Sequence, residues 1–157
     1  KLEDRIACIS PIGHDRLFVV ADWFGNIIVM HNLEITKICS LPRRGTIDID
    51  GDGIEEKLHI FAKTIRIFKD EKKIFEISGR SYISAFGVGD VDDDGVPELI
   101  LGWSSKAISL YRLDGKHLAS ISTISTPRAI LIKDFDHDGR DEILCCGDGT
   151  AELYSLH

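Results

Sequence analysis

Three stretches of nine residues share one pattern, and their spacing limits what the chain can fold into. Asp48, Asp50, Asp52, Gly53 and Glu56 form the first stretch. Asp90, Asp92, Asp94, Gly95 and Glu98 form the second, and Asp134, Asp136, Asp138, Gly139 and Glu142 the third. Alternate carboxylates can turn inward around a hard cation, and the sixth-position glycine lets the backbone fold tightly enough to bring them together. Oxygen-only ligands of this kind suit calcium far better than zinc or copper. One such loop is a weak signal. However, Asp48 to Asp90 is 42 residues and Asp90 to Asp134 is 44, and a repeat of about 40 to 45 residues with four strands is the period of a propeller blade.

The residues around the loops support that period. They are short β-branched and aromatic runs separated by turn chemistry, and no stretch has sustained helical periodicity. The first unit, residues 1–40, carries strands near Ile6–Ile9, Leu17–Ala21, Ile27–Met30 and Ile35–Cys39. The second, 41–80, runs from Thr46-Ile47 through its acid loop to Leu58–Phe61, Ile65–Phe68 and Ile74–Ile77. The third, 81–125, has Ser84–Val88, its loop, Leu99–Leu101, Ile108–Tyr111 and His117–Ile121. In this third unit, Asp114-Gly115 reads as a two-residue hairpin turn, since glycine tolerates the positive φ required. The fourth, 126–157, has Ala129–Ile132, its loop, Ile143–Cys146 and Ala151–Tyr154, and lacks a last strand. The first unit has only Asp15 as a carboxylate between Ser10 and Leu17, so no metal loop is expected there. The expected fold is all-β, with four-stranded meander blades in about four repeats. Three complete units and a short fourth point to part of a larger propeller, completed by further blades or by self-association. The exposed side of the first unit and the open edge of the fourth should leave apolar surface or unpaired backbone uncovered.

The pattern resembles the FG-GAP repeat of integrin alpha subunits and related calcium-loop propellers. Phe86-Gly87-Val88-Gly89-Asp90 matches the opening of that repeat, and Leu101-Gly102-Trp103 stands where Gly-Ala-Pro would be expected. The resemblance implies an acid loop between the first and second strands of a blade that binds calcium at the rim. It implies side-chain ligands at the first, third, fifth and ninth positions and a backbone carbonyl from the seventh. The carbonyls would be those of Ile54, Val96 and Arg140. Up to three calcium ions are therefore expected.

Other readings of the acid loops are testable within the sequence. An EF-hand needs glutamate at the twelfth loop position and flanking helices. The twelfth residues here are His59, Leu101 and Cys145, between strands. Solvated acidic hairpins remain the bland alternative, because Asp and Gly favour turns anyway. A pair of catalytic carboxylates would sit across one cleft, whereas these loops recur on successive units. The histidines are scattered, and neither a nucleophile elbow nor a phosphate-binding glycine loop is present. Trp23, Phe24 and Trp103 fall near turns, where they would either pack between blades or stack on a sugar.

Charge and cysteines bear on partners and compartment. The formal net charge of −7 comes without a basic run, which disfavours nucleic acid. Three divalent ions would bring it to −1. No apolar run approaches the roughly 18 residues of a membrane span. No charged-then-apolar leader opens the chain, and Lys1 in place of Met marks a processed or excised product. Cys8 and Cys39, three strand spacings apart at about 4.8 Å each, are beyond disulfide reach. Cys145 and Cys146 should face opposite sides of one strand. Free thiols favour a reducing compartment, whereas weak calcium loops suit the outside of a cell. The expected function is a non-enzymatic, calcium-stabilised scaffold for a protein partner. The alternative is a carbohydrate-binding module attached to a polysaccharide-active enzyme.

Overall fold

A computed structural model describes residues 6–12, 17–22, 27–31, 34–38 and 44–156, with side chains at 46 and 48–156. The described residues contain fifteen strands in four antiparallel sheets, each a meander in chain order, with no helix among them. The first sheet holds β1 (Ile6–Ile12), β2 (Leu17–Asp22), β3 (Ile27–His31) and β4 (Glu34–Ile38). The second holds β5 (Arg44–Ile47), β6 (Glu56–Phe61), β7 (Thr64–Lys69) and β8 (Lys72–Ser78). The third holds β9 (Ile83–Gly89), β10 (Glu98–Trp103), β11 (Ala107–Tyr111) and β12 (His117–Ser122). The fourth has three strands, β13 (Pro127–Lys133), β14 (Glu142–Gly147) and β15 (Thr150–Tyr154). These are the blades of a propeller fold.

Local turn chemistry explains the tight connections. Asp70 (φ 48°) and Glu71 (φ 62°) join β7 to β8, and two left-handed residues give the turn whose twist matches paired strands. The Asp114-Gly115 hairpin forms, but its turn is longer than the two residues expected. The Gly115 N–H donates to the Arg112 carbonyl at 2.9 Å, and the Arg112 N–H to the Lys116 carbonyl at 2.9 Å. Of the pair only Gly115 is left-handed, at φ 90°, so a turn followed by a left-handed glycine replaces the symmetric two-residue form. Asp114 stabilises it by accepting the Lys116 N–H at 2.8 Å.

The core lies between the sheets. Every residue of β10 is buried, and its two faces belong to different interfaces. Leu99, Leu101 and Trp103 pack with Leu58, Ile65 and Ile67 of the second sheet. Ile100 packs with Ile130, Ile143 and Cys145 of the fourth. A strand covered on both faces needs apolar side chains at consecutive positions, which is why Leu99-Ile100-Leu101 does not alternate. Each such burial stabilises by about 1.5–3 kcal/mol. Trp103 is buried between sheets and its indole N–H donates to Ser109 Oγ at 3.0 Å. The packing role therefore holds for this residue, while Trp23 and Phe24 lie outside the described residues. Gly79 makes room for it: a Cβ there would stand 2.2 Å from the Trp103 ring.

β14 is likewise buried throughout, with Leu144 and Cys146 on the face away from the third sheet. β1 approaches β14 and β15 to Cα separations within 8 Å, so the first sheet neighbours the fourth. β6 behaves differently. Glu56, Leu58 and Ile60 are buried, whereas Lys57, His59 and Phe61 are exposed. On the same face Arg66 pairs with Glu76 at 3.3 Å, and Thr64 Oγ1 meets Ser78 Oγ at 2.9 Å. Among the described residues the second sheet thus has an uncovered face, and it is largely polar rather than apolar. The expectation of exposed apolar surface on the first unit's side concerns side chains that lie outside the described residues. Cys145 and Cys146 form no disulfide and are buried on opposite faces. Burial, with Glu152 adding to it, pushes the Cys145 thiol up to about 12. Cys39 lies outside the described residues.

Candidate metal centres

Each acid loop joins the first strand of its sheet to the second: β5 to β6, β9 to β10 and β13 to β14. The loops fold by local hydrogen bonds that repeat from one to the next. The first aspartate accepts two backbone amides. Asp48 takes the N–H groups of Gly51 (2.8 Å) and Gly53 (2.9 Å). Asp90 takes those of Asp94 (3.2 Å) and Gly95 (2.8 Å), and Asp134 those of His137 (2.6 Å) and Gly139 (3.0 Å). The third-position aspartates Asp50, Asp92 and Asp136 accept the fifth-position N–H at 3.3, 3.3 and 3.1 Å. The fifth-position aspartates Asp52, Asp94 and Asp138 accept the N–H of Ile54, Val96 and Arg140 at 2.8, 2.9 and 2.9 Å. Such turns are the ordinary habit of aspartate, and the sixth-position glycines are left-handed at φ 85°, 83° and 95°.

The ninth-position glutamates are where the loops depart from solvated hairpins. Glu56, Glu98 and Glu142 are 0%, 0% and 3% exposed. One oxygen of each accepts the second-position N–H: Ile49 at 3.0 Å, Val91 at 3.2 Å and Phe135 at 2.8 Å. Glu98 Oε1 is buried with no hydrogen-bond partner, and leaving such an oxygen unpaired is costly. Burial raises the Glu98 pKa above its ordinary value, and so do the charges of Asp92, Asp94 and Asp90, against the lowering hydrogen bond from Val91. Each of these effects would be relieved by a cation.

The sequence-marked carboxylates gather closely. In the fourth sheet Asp134, Asp136, Asp138 and Glu142 bring oxygens within 4.8 Å of one another. The second sheet gathers Asp48, Asp50 and Glu56 in this way, and the third Asp90, Asp92 and Asp94. Asp52 and Glu98 stand apart from their clusters. Ile54 and Val96 project their side chains to solvent, 53% and 49% exposed, and Arg140 is exposed too. Residues contributing only a carbonyl would be so placed. Asp93, at the fourth position, is left-handed at φ 60°, exposed and outside the cluster. Hard oxygen donors, together with a buried unpartnered glutamate oxygen, fit calcium.

Sequence reasoning missed two cations. Lys69 Nζ lies 2.7 Å from Asp50 Oδ2 and 3.2 Å from Glu56 Oε1, and it also pairs with Asp52. Arg112 Nη2 lies 3.2 Å from Asp92 Oδ2 and pairs with Asp94. The Lys69 hydrogen bond holds Asp52 below the usual carboxylate range. Asp50 and Asp52 in turn raise Lys69, and Asp92 raises Arg112. The available signal was cross-strand register, which places both cations opposite a loop glutamate.

Residues 90–145 match an FG-GAP-like repeat. The match runs from the third sheet's loop through most of β14, so it contains the second and third acid loops. No curated protein sequence matches the chain. Among solved structures, the computationally designed Ika4 protein is similar at 14% identity and TM-score 0.53, covering 99% of this chain and 93% of that one. BBS1N, solved in complex with ARL6DN, is similar at 13% identity and TM-score 0.51, over 96% of this chain and 57% of its own. Chaetomium thermophilum Raptor is similar at 15% identity and TM-score 0.52, over 98% of this chain and 16% of its own. At such identities the likeness is one of fold, and the neighbours are propeller-like. Together with the FG-GAP-like repeat they support a β-propeller fold.

Proposed function

We propose that this protein is a non-enzymatic, calcium-binding β-propeller scaffold that presents a surface to a protein partner. The observation that carries the metal half is the repeated buried glutamate, above all the unpartnered Oε1 of Glu98 beside three aspartates. Calcium would clamp the first hairpin of each metal-bearing blade. The partner half rests on the opposite end of the sheets. There Phe61, Tyr82 and Ile124 are 82%, 60% and 70% exposed, close to turns remote from the acid loops. The Ile83 N–H ties this end together by donating to the Ala62 carbonyl at 2.9 Å. BBS1N, one of the propeller-like neighbours, was itself solved in a protein complex. The carbohydrate reading loses Trp103 as a stacking platform, since that ring is buried.

Two measurements test the halves separately. Asp94→Ala should weaken calcium binding at the third sheet's loop by about tenfold or more, because ligand charge sets the affinity of such sites. Asp93→Ala should leave it within about twofold, because that carboxylate is exposed and outside the cluster. Equal losses in calorimetry would show that the ligand register is wrong. A pull-down from cell extract should recover a protein that a Phe61→Ser, Tyr82→Ser double variant fails to retain. Specific glycan-array binding unaffected by that double variant would favour the carbohydrate module instead.

A further inference from the structure

The three acid loops are not equivalent, and the difference lies at the end of the third strand of each sheet. Lys57 pairs with Phe68, Leu99 with Tyr111 and Ile143 with Tyr154. Counted one position beyond those pairs, the register sets Glu56 against Lys69, Glu98 against Arg112 and Glu142 against Ser155, the last two just past the ends of their third strands. The same place in the blade therefore holds an ammonium, a guanidinium and a hydroxyl.

The first two side chains reach the oxygens that a metal ion would need. Lys69 Nζ stands among Asp50, Asp52 and Glu56, which are the third, fifth and ninth loop positions. Arg112 Nη2 holds Asp92 and Asp94, the third and fifth. The clusters differ as well. In the fourth sheet all four sequence-marked carboxylates bring oxygens within 4.8 Å, whereas in the second and third sheets only three do. The one left out is Asp52 in the second, turned to Lys69, and Glu98 in the third, whose Oε1 is buried and unpartnered.

We propose that Lys69 and Arg112 are built-in counter-ions that compete with calcium for the second and third loops, so that the fourth loop, facing Ser155, is the tight site and fills first. This rests on the calcium-binding reading above. A tethered cation a few ångströms from the metal position must either be driven out or repel the incoming ion, and both lower affinity. The same tether neutralises its loop when calcium is scarce, so those two hairpins keep their shape without metal. The fourth sheet is then the calcium-responsive blade.

The test is a calcium titration of the chain, followed by calorimetry and by the amide NMR signals of Gly53, Gly95 and Gly139, one in each loop. Gly139 should shift at the lowest calcium, with Gly53 and Gly95 following at concentrations about tenfold higher or more. Lys69→Ser should tighten the Gly53 loop and Arg112→Ser the Gly95 loop by about tenfold each. Ser155→Lys, at an exposed position, should weaken the Gly139 loop by a similar factor. The proposal is overturned if the three glycines shift together, if Gly53 or Gly95 leads, or if folded substituted chains keep wild-type affinities. Should no glycine shift in the wild type or any variant, the calcium reading itself fails.

Discussion

Calcium at millimolar concentration should raise the melting temperature, and a chelator should lower it reversibly. A ligand that binds only the folded chain, at tenfold above its dissociation constant, stabilises by about 1.4 kcal/mol per site. For a chain of this length each kcal/mol moves the midpoint by about 2–4 °C. One filled loop then gives about 3–6 °C, and three give about 10 °C or somewhat more. The physical source is the acid crowding of the loops. Glu98 is buried with an unpartnered oxygen beside Asp90, Asp92 and Asp94, and like charges at such separations repel unless a cation intervenes. Differential scanning in calcium and in EDTA checks the expectation. Superimposable melting curves would remove calcium from the account.

Leu101→Ala should destabilise the chain by about 3 kcal/mol, within the usual range for truncating a buried leucine. Leu101 is fully buried in the cluster that joins the second and third sheets, together with Leu58, Ile65 and Ile67. Its loss leaves a cavity between rigid strands that cannot close without moving a whole sheet. The corresponding midpoint shift is about 6–12 °C. Phe61→Ala is the control, on a strand of the same interface but 82% exposed, and should change stability by less than about 0.5 kcal/mol. Denaturant melts of both variants decide it. Comparable losses would mean that the interface between these sheets is not where the stability resides.

The sequence alone determined the all-β class, the short strands and the three loops. These depend on interactions of short range along the chain. Asp48, Asp90 and Asp134 each bond amides three to five residues away, so their pattern is written in consecutive residues. Strand positions follow from apolar runs for the same reason. Even there, one detail escaped: Asp114-Gly115 marked a hairpin, but the bulge between Leu110 and Tyr111 lengthened its turn. Tertiary structure decided what depends on residues far apart in the chain. Leu99-Ile100-Leu101 and the alternating β6 both announce a strand, yet only the stacking of sheets shows that one is covered on two faces and the other on one. Trp103 finds its place against Gly79, 24 residues earlier. Lys69 and Arg112 read as ordinary surface cations until strand register carries them to carboxylates 17 to 20 residues away. A charge's partner is set by the fold that brings it near, which is why the loops could be read from the sequence and their inequality could not.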